Sequence, residues 1–279
     1  MSMKLLFLYF FLLGSDSYES EVQKARQTRV ENLKGESGWL NLAGLFWLKE
    51  GKNTIGASAK NDFEFPKEHA NPFLGQVILR KGVVLYLPNG EKRAREIFPA
   101  GGKTVIESHQ SLRWFIIKRG DKYAIRLRDL EGEYLRAFTK IAYYPISAKA
   151  RVKAKFIPTQ GQKLRIIDIT GRSYEEDSPG KLVFQWEGKE YSLAAGGTLQ
   201  ELFIVFGDAT NQQDTYGGGR FLDTAGPDAD GNVYLDLNLA YNPPCAFTPF
   251  ATCPLPTPEN KLPIAIQAGE KSTGLLGHK

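Results

Sequence analysis

The sequence predicts a mainly β protein: antiparallel β-sandwich or barrel units, one N-terminal helix and a Pro-rich C-terminal strap. Three observations carry this reading. Short apolar segments alternate with Gly-containing turns across most of the chain after residue 75. Aromatic residues make up 12% of the 279 positions and glycines number 28, a composition that fits packed β structure and excludes disorder. Seven of the 15 prolines fall in Tyr241–Lys279, where each fixes its own φ and biases the preceding residue toward extended conformations, so this stretch is no helix.

The chain opens MSMKLLFLYFFLLGSDS, in which Lys4 precedes nine apolar residues, Leu5 to Leu13, and the small residues Ser15 and Ser17 follow. Residues 1–17 therefore read as a signal peptide, and the protein as exported, periplasmic or secreted; a docked apolar segment is the alternative. The apolar run is well short of the roughly 20 residues a spanning helix needs, so no integral membrane span is expected. Residues 18–38 carry the helix. Ser20 with Gln23 fits a capping box, Val22, Ala25, Val30 and Leu33 recur at helical spacing, and Gly35 stops it. Trp39 to Leu48 is dense in Trp and Leu and reads as core.

Two β units are expected, at residues 39–130 and 131–279, with a soft boundary where charged and small residues interrupt the strands at Asp129–Tyr134. In the first, Gln76–Leu79 and Val83–Leu87 flank Arg80-Lys-Gly, and Leu112–Lys118 and Tyr123–Leu127 flank Arg119-Gly-Asp121, two tight hairpins. In the second, strands are read at 151–156, 164–170, 181–186, 189–193, 202–206 and 233–237, set off by Gly161, Gly171, Pro179-Gly180, Glu187-Gly188 and Gly231. The strap itself interleaves Phe247, Phe250, Leu255, Leu262, Ile264 and Ile266 with its prolines, which suits an ordered segment laid across a core rather than a linker.

The net charge of +5 comes from 36 basic and 31 acidic residues, mostly interspersed. The densest basic stretch, Lys149 to Lys155, alternates with apolar residues as one face of a strand does, so no nucleic-acid partner is inferred. Only His69, His109 and His278 are present, and no Gly-x-Ser-x-Gly, His-Glu-x-x-His or phosphate-cradling Gly-x-x-x-x-Gly-Lys pattern occurs. No metal site is expected: Cys245 and Cys253 have no Cys-x-x-Cys spacing, and Asp228-Ala-Asp-Gly-Asn232 lacks the glycine and closing Glu of a calcium loop. The two cysteines are read either as a disulfide or as buried thiols.

Several blocks, taken together, resemble an uncharacterised bacterial and archaeal family known as a domain of unknown function. They are Gly38-Trp-Leu-Asn-Leu to Gly51, Leu112-Arg-Trp to Asp129, Asp208-Ala-Thr with Tyr216 to Leu222, and the closing Tyr241-Asn-Pro-Pro-Cys-Ala-Phe247 through Ala268-Gly-Glu-Lys271. The resemblance implies a fold family and no activity. A second echo, Gly51-Lys-Asn-Thr-Ile-Gly56 with Asn61 to Pro66 and His69, resembles the opening of a forkhead-associated β-sandwich. Ala57 and Lys67-Glu68 stand where that fold's phosphate contacts belong, so the sandwich is implied and phosphopeptide binding is not.

Candidate site residues cluster late in the chain. Tyr216-Gly217-Gly218-Gly219-Arg220 combines glycines that permit close backbone approach with a guanidinium suited to an anion. Asn242, Cys245, Asn260 and Glu270 are polar groups on the strap, with Glu270 placed opposite Arg220; the competing reading pairs Arg220 internally with Asp208 or Glu270. Three functions stay open: binding of a small polar or anionic ligand at these residues, an interaction module with no small-molecule site, or a hydrolase using Cys245 or a carboxylate such as Asp208 or Glu270. Catalytic residues and cofactors are not assigned by the sequence.

Overall fold

The computed structural model describes the backbone of residues 4–98, 104–159 and 161–276, with side chains from residue 17 onward within those spans. The side chains of the leader, and His278, lie outside the described residues. The chain groups into two compact units, one of residues 33–138 and one that joins residues 1–32 to 139–279.

Helix α1 (Lys4–Lys34) ends immediately before Gly35, as its glycine predicts, but begins well before Ser20. Ser20 is an interior residue rather than a cap, because the amides a cap would meet already bond within the helix. The buried face is also different. Val22 and Leu33 are buried, Arg26 and Arg29 fall between them at i+4 and i+7, and Ala25 is exposed. Among the described residues, no helix is long and apolar enough to cross a membrane.

The unit of residues 33–138 is a two-sheet sandwich. Its strands are β1 (Leu42–Trp47), β2 (Gly51–Gly56), β3 (Phe63–Glu64), β4 (Gly75–Arg80), β5 (Val83–Pro88), β6 (Arg95–Phe98), β7 (Glu107–His109), β8 (Leu112–Arg119) and β9 (Lys122–Asp129). One sheet runs β1-β9-β8-β7 and the other β3-β2-β4-β5-β6. Inward residues of both, among them Ile55, Val77, Val84, Trp114, Ile116 and Leu127, form one core. Trp114 sits edge-on to Phe65 and Tyr86 at centroid distances of 5.7 and 5.8 Å. Both expected hairpins form. Lys81 and Gly82 take positive φ of 49° and 86°, as a two-residue turn requires. His69 is held by Asp129 at 2.7 Å, and Ser111 donates to the same carboxylate at 2.7 Å.

The other unit carries β10 (Arg151–Pro158), β11 (Lys163–Ile167), β12 (Ser173–Asp177), β13 (Gly180–Trp186), β14 (Lys189–Gly197), β15 (Glu201–Phe206), β16 (Arg220–Ala225) and β17 (Asn232–Asp236). Six of these form an antiparallel sheet in the order β16-β15-β14-β13-β10-β17, with β11 and β12 a separate hairpin. The sheet curls into an almost closed barrel. Its end strands approach, and the Thr224 hydroxyl donates across them to the Tyr234 carbonyl at 3.0 Å. Alternate residues point inward and supply the core: Ala154 and Phe156, Leu182 and Phe184, Leu193 and Ala195, Leu202, Ile204 and Phe206, Val233 and Leu235. The basic stretch 149–155 presents its charged residues outward between buried Ala150 and Ala154, a solvated strand face.

The strap is ordered and buried although it forms no regular strand. Phe247 and Ile266 are fully enclosed, and single bridges tie Pro254 to Asp168, Lys261 to Gly207 and Glu270 to Tyr143. Asn260 replaces the missing ladder. Its side chain accepts from the Ala194 amide at 2.7 Å and donates to the Ala194 and Val205 carbonyls at 2.9 Å each. That closes a gap between β14 and β15 which would otherwise strand buried backbone groups. The Asp228 carboxylate accepts from the Asp230 and Asn232 amides at 3.0 and 2.8 Å, so this segment is a hydrogen-bonded turn ahead of β17.

Candidate functional site

Three segments distant in sequence converge on one cleft: the middle of α1, residues 143–144 ahead of β10, and the strap's end at Gly269–Glu270 with residues 238–241. Backbone bonds fix them together. The Tyr144 amide donates to Gly269 O at 3.0 Å and the Glu270 amide to Ala240 O at 2.8 Å. Gly269 makes this approach possible, since its φ is +78° and a Cβ there would lie 2.4 Å from Ala240 O. The result is a cleft of about 200 Å³ bordered by Arg26, Arg29, Tyr143, Asp223, Tyr241 and Glu270.

Two arginines project into it from α1 in different chemical states. Arg29 is neutralised. Its Nε donates to Glu270 Oε1 at 3.1 Å, its Nη2 to Asn242 O at 2.9 Å, and the guanidinium stacks 4.6 Å over the Tyr241 ring. Glu270 is 1% exposed and its second oxygen accepts the Asn242 amide at 2.7 Å. Burial still outweighs these contacts and holds its carboxyl above the ordinary value of 4.5. Arg26, by contrast, has no ion pair among the described residues. Its Nη2 donates at 3.3 Å to two carbonyls, Tyr144 O and Asn238 O, and its plane lies 4.3 Å over the Tyr143 ring. Burial lowers its affinity for its proton.

Among the described residues, two polar atoms in this wall are buried with no partner, Arg26 Nε and the Tyr143 hydroxyl. Burial is the first cause that raises the Tyr143 phenol, with the Glu270 charge second, so it remains an O–H donor. Tyr241 donates to Asp223 Oδ2 at 2.6 Å. The cleft therefore presents a guanidinium with no direct carboxylate contact among the described residues and a phenolic hydroxyl, both donors, while Arg29 and Glu270 pair with each other.

The residues expected from the sequence are dispersed by comparison. Arg220 is fully enclosed. Its Nη2 donates to Asp208 Oδ2 at 2.6 Å and to Ile266 O at 2.9 Å, and its Nη1 to Ala268 O. It does not face Glu270 as a ligand clamp; it is the ionic pin that holds the strap's end to β16, because no water reaches it to compensate its charge. Asn260 is likewise committed to backbone, and the Asn242 side-chain amide donates to Lys271 O at 2.8 Å. Tyr216, Gly217 and Gly218 border a separate cleft of about 270 Å³ with Gln212, Ala246 and Leu275. Cys245 lies behind it, buried, with no disulfide to Cys253 and no histidine among its partners. Of the expected set, Glu270 alone borders the α1 cleft. Arg26 and Arg29 escape the sequence reading, although two cations between Val22 and Leu33 on an apolar helix face are a legible signal.

A mainly β protein with a nearly closed barrel, sealed by a helix and a strap, is the class these features define. Residues 136–271 match the family described as "Protein of unknown function (DUF1684)". Among solved structures, an uncharacterized protein of the archaeon Haloarcula marismortui is similar, at 29% identity over 49% of this chain and 78% of that one, with a TM-score of 0.41. No curated protein matches.

Proposed function

We propose that this protein binds a small organic anion, of carboxylate type, in the cleft beneath α1. The supporting observation is Arg26: a half-buried guanidinium with no carboxylate partner among the described residues, whose Nε and the neighbouring Tyr143 hydroxyl are buried without acceptors. An unpaired buried donor costs about 1–3 kcal/mol, and an anion accepting from both would recover it. The cleft volume of about 200 Å³ suits a molecule of a few heavy atoms rather than a nucleotide. Arg29 and Glu270 hold the wall in place and carry no net charge to the ligand.

Thermal-shift and calorimetric titration with a panel of mono- and dicarboxylates and inorganic phosphate tests the reading. A true ligand at a hundredfold excess over Kd adds about 2.7 kcal/mol of stability. The Arg26→Gln protein should lose that gain while keeping its fold. If no member of the panel raises Tm, or if Arg26→Gln responds as the parent does, the site is wrong. The proposal includes export, on the strength of the leader's Lys4 and apolar run. Tyr18, just beyond it, is anchored by donation to Asp236 at 2.9 Å, so α1 stays attached after a cut near Ser17. N-terminal sequencing of protein from a native host decides this, and a chain still beginning at Met1 or Ser2 refutes it.

A further inference from the structure

A second cleft lies along α1 beside the first, toward the start of the helix. It encloses about 300 Å³ and is bordered by Tyr18, Val22, Arg151, Tyr234 and Asp236. Asp223 and Leu239 border both clefts, which therefore share a wall. Asp223 is exposed on β16, and its Oδ2 accepts from the Tyr241 hydroxyl at 2.6 Å. That contact fixes the carboxylate at the cleft's edge without cancelling its charge, because a phenol is a neutral donor. The other charged groups around it are committed elsewhere. Arg29 pairs with Glu270 at 3.1 Å, and Arg151 lies over the Tyr234 and Tyr18 rings at 5.0 and 5.6 Å. Asp236 takes the Tyr18 hydroxyl at 2.9 Å and the Asn238 amide at 3.1 Å. The border of the α1 cleft thus carries two opposite charges with no ion pair among the described residues, the Arg26 guanidinium from the helix and the Asp223 carboxylate from β16.

We infer that the anion of the α1 cleft is an α-amino acid, its carboxylate meeting Arg26 and the Tyr143 hydroxyl and its ammonium meeting Asp223. This rests on the proposed anion site and adds a second pole to it. A cleft of about 200 Å³ brings both poles within reach of one small molecule. The ammonium supplies three donors, and among the described residues only the Tyr241 hydroxyl competes for Asp223. The carbons beyond the α-carbon extend past Leu239 into the second cleft, against the Tyr18 and Tyr234 rings, the latter 50% exposed. A dicarboxylate or inorganic phosphate would instead set a second negative charge near Asp223, so the same carboxylate that attracts an ammonium selects against dianions.

Calorimetric titration of the full chain near neutral pH compares two pairs of ligands that differ only in the amino group: leucine against 4-methylpentanoate, and phenylalanine against 3-phenylpropionate. In at least one pair the amino acid should bind about three- to fivefold more tightly than its partner, the range of a partly exposed charge pair. In Asp223→Asn, whose amide oxygen can still accept from Tyr241, that preference should vanish while the des-amino acid binds as before. Arg26→Gln should weaken both members of the pair. Des-amino acids that bind as tightly as the amino acids, binding confined to carboxylates without an amino group, or a preference that survives in Asp223→Asn would each overturn the inference and leave the anion site standing. Binding by no carboxylate at all sinks both. The comparison within each pair is made on the native chain, so it decides the matter even where Asp223→Asn folds poorly.

Discussion

Removing the charge of Asp208 while keeping its shape, as Asp208→Asn does, isolates what the Arg220 pair contributes. Both side chains are 0% exposed and their contact is 2.6 Å. In the Asp208→Asn protein the side-chain oxygen can still accept from the Thr210 amide and hydroxyl, which in the native chain reach Oδ1 at 2.9 and 2.6 Å. The loss is therefore mainly electrostatic, a guanidinium left without its counter-charge in a site water does not reach. Breaking such a pair costs about 3–5 kcal/mol. Replacing both members by apolar residues, Asp208→Leu with Arg220→Met, removes the buried charge altogether. That double variant orphans the Thr210 amide and the Ile266 and Ala268 carbonyls, at about 1–3 kcal/mol each, so it should be no more stable than Asp208→Asn alone. Urea unfolding followed by circular dichroism reads the stabilities of the parent and both variants. A cost below about 1 kcal/mol for Asp208→Asn, the range of exposed pairs, would refute the assignment of Arg220 as a dry pin.

Other consequences are equally open to measurement. Glu270 titrates above 4.5 in the folded chain because of burial, so the native state binds its proton more tightly than the unfolded one. Its contribution to stability is greatest in acid and falls as pH rises from about 4.5 through the folded value; Glu270→Gln should flatten that slope in urea titrations run at several pH values. Asn260→Ala removes three hydrogen bonds and leaves Ala194 and Val205 backbone groups unpaired, a loss of about 2–4 kcal/mol in denaturant unfolding. Gly219→Ala should destabilise by more than about 1 kcal/mol, because φ is +89° and the new Cβ would fall 2.7 Å from Phe206 O; an unchanged Tm would contradict the described turn.

Hairpins are legible where turn chemistry is local. Lys81-Gly82 and Gly120 announce their turns in the residues that adopt them. β16 does not read as a strand because Arg220 and the three preceding glycines look like a site, and only the tertiary partner Asp208 makes a buried Arg tolerable there. Short strands such as β3, β6 and β7 lack the length for a period-2 signal to emerge, and β12 is missed because it is polar and exposed on both faces. The helix start is misplaced by the sequence since Ser20 and Gln23 satisfy a capping pattern equally well from inside a longer helix. For the site, strap residues are visible as polar groups among prolines, but the fold decides which face each other. Asn260 turns toward β14 and Glu270 toward α1, a pairing that spans 241 positions for Arg29 and has no local signature.

That separation has a temporal meaning during synthesis. The unit of residues 33–138 is one uninterrupted piece of chain, complete soon after it leaves the ribosome. Helix α1 emerges first of all, yet Glu270 is made 241 residues after Arg29. At 5–20 residues per second the helix waits roughly 10–50 s for its carboxylate. Throughout that interval the wall that Arg29 and Glu270 form together is incomplete, because its carboxylate is not yet translated.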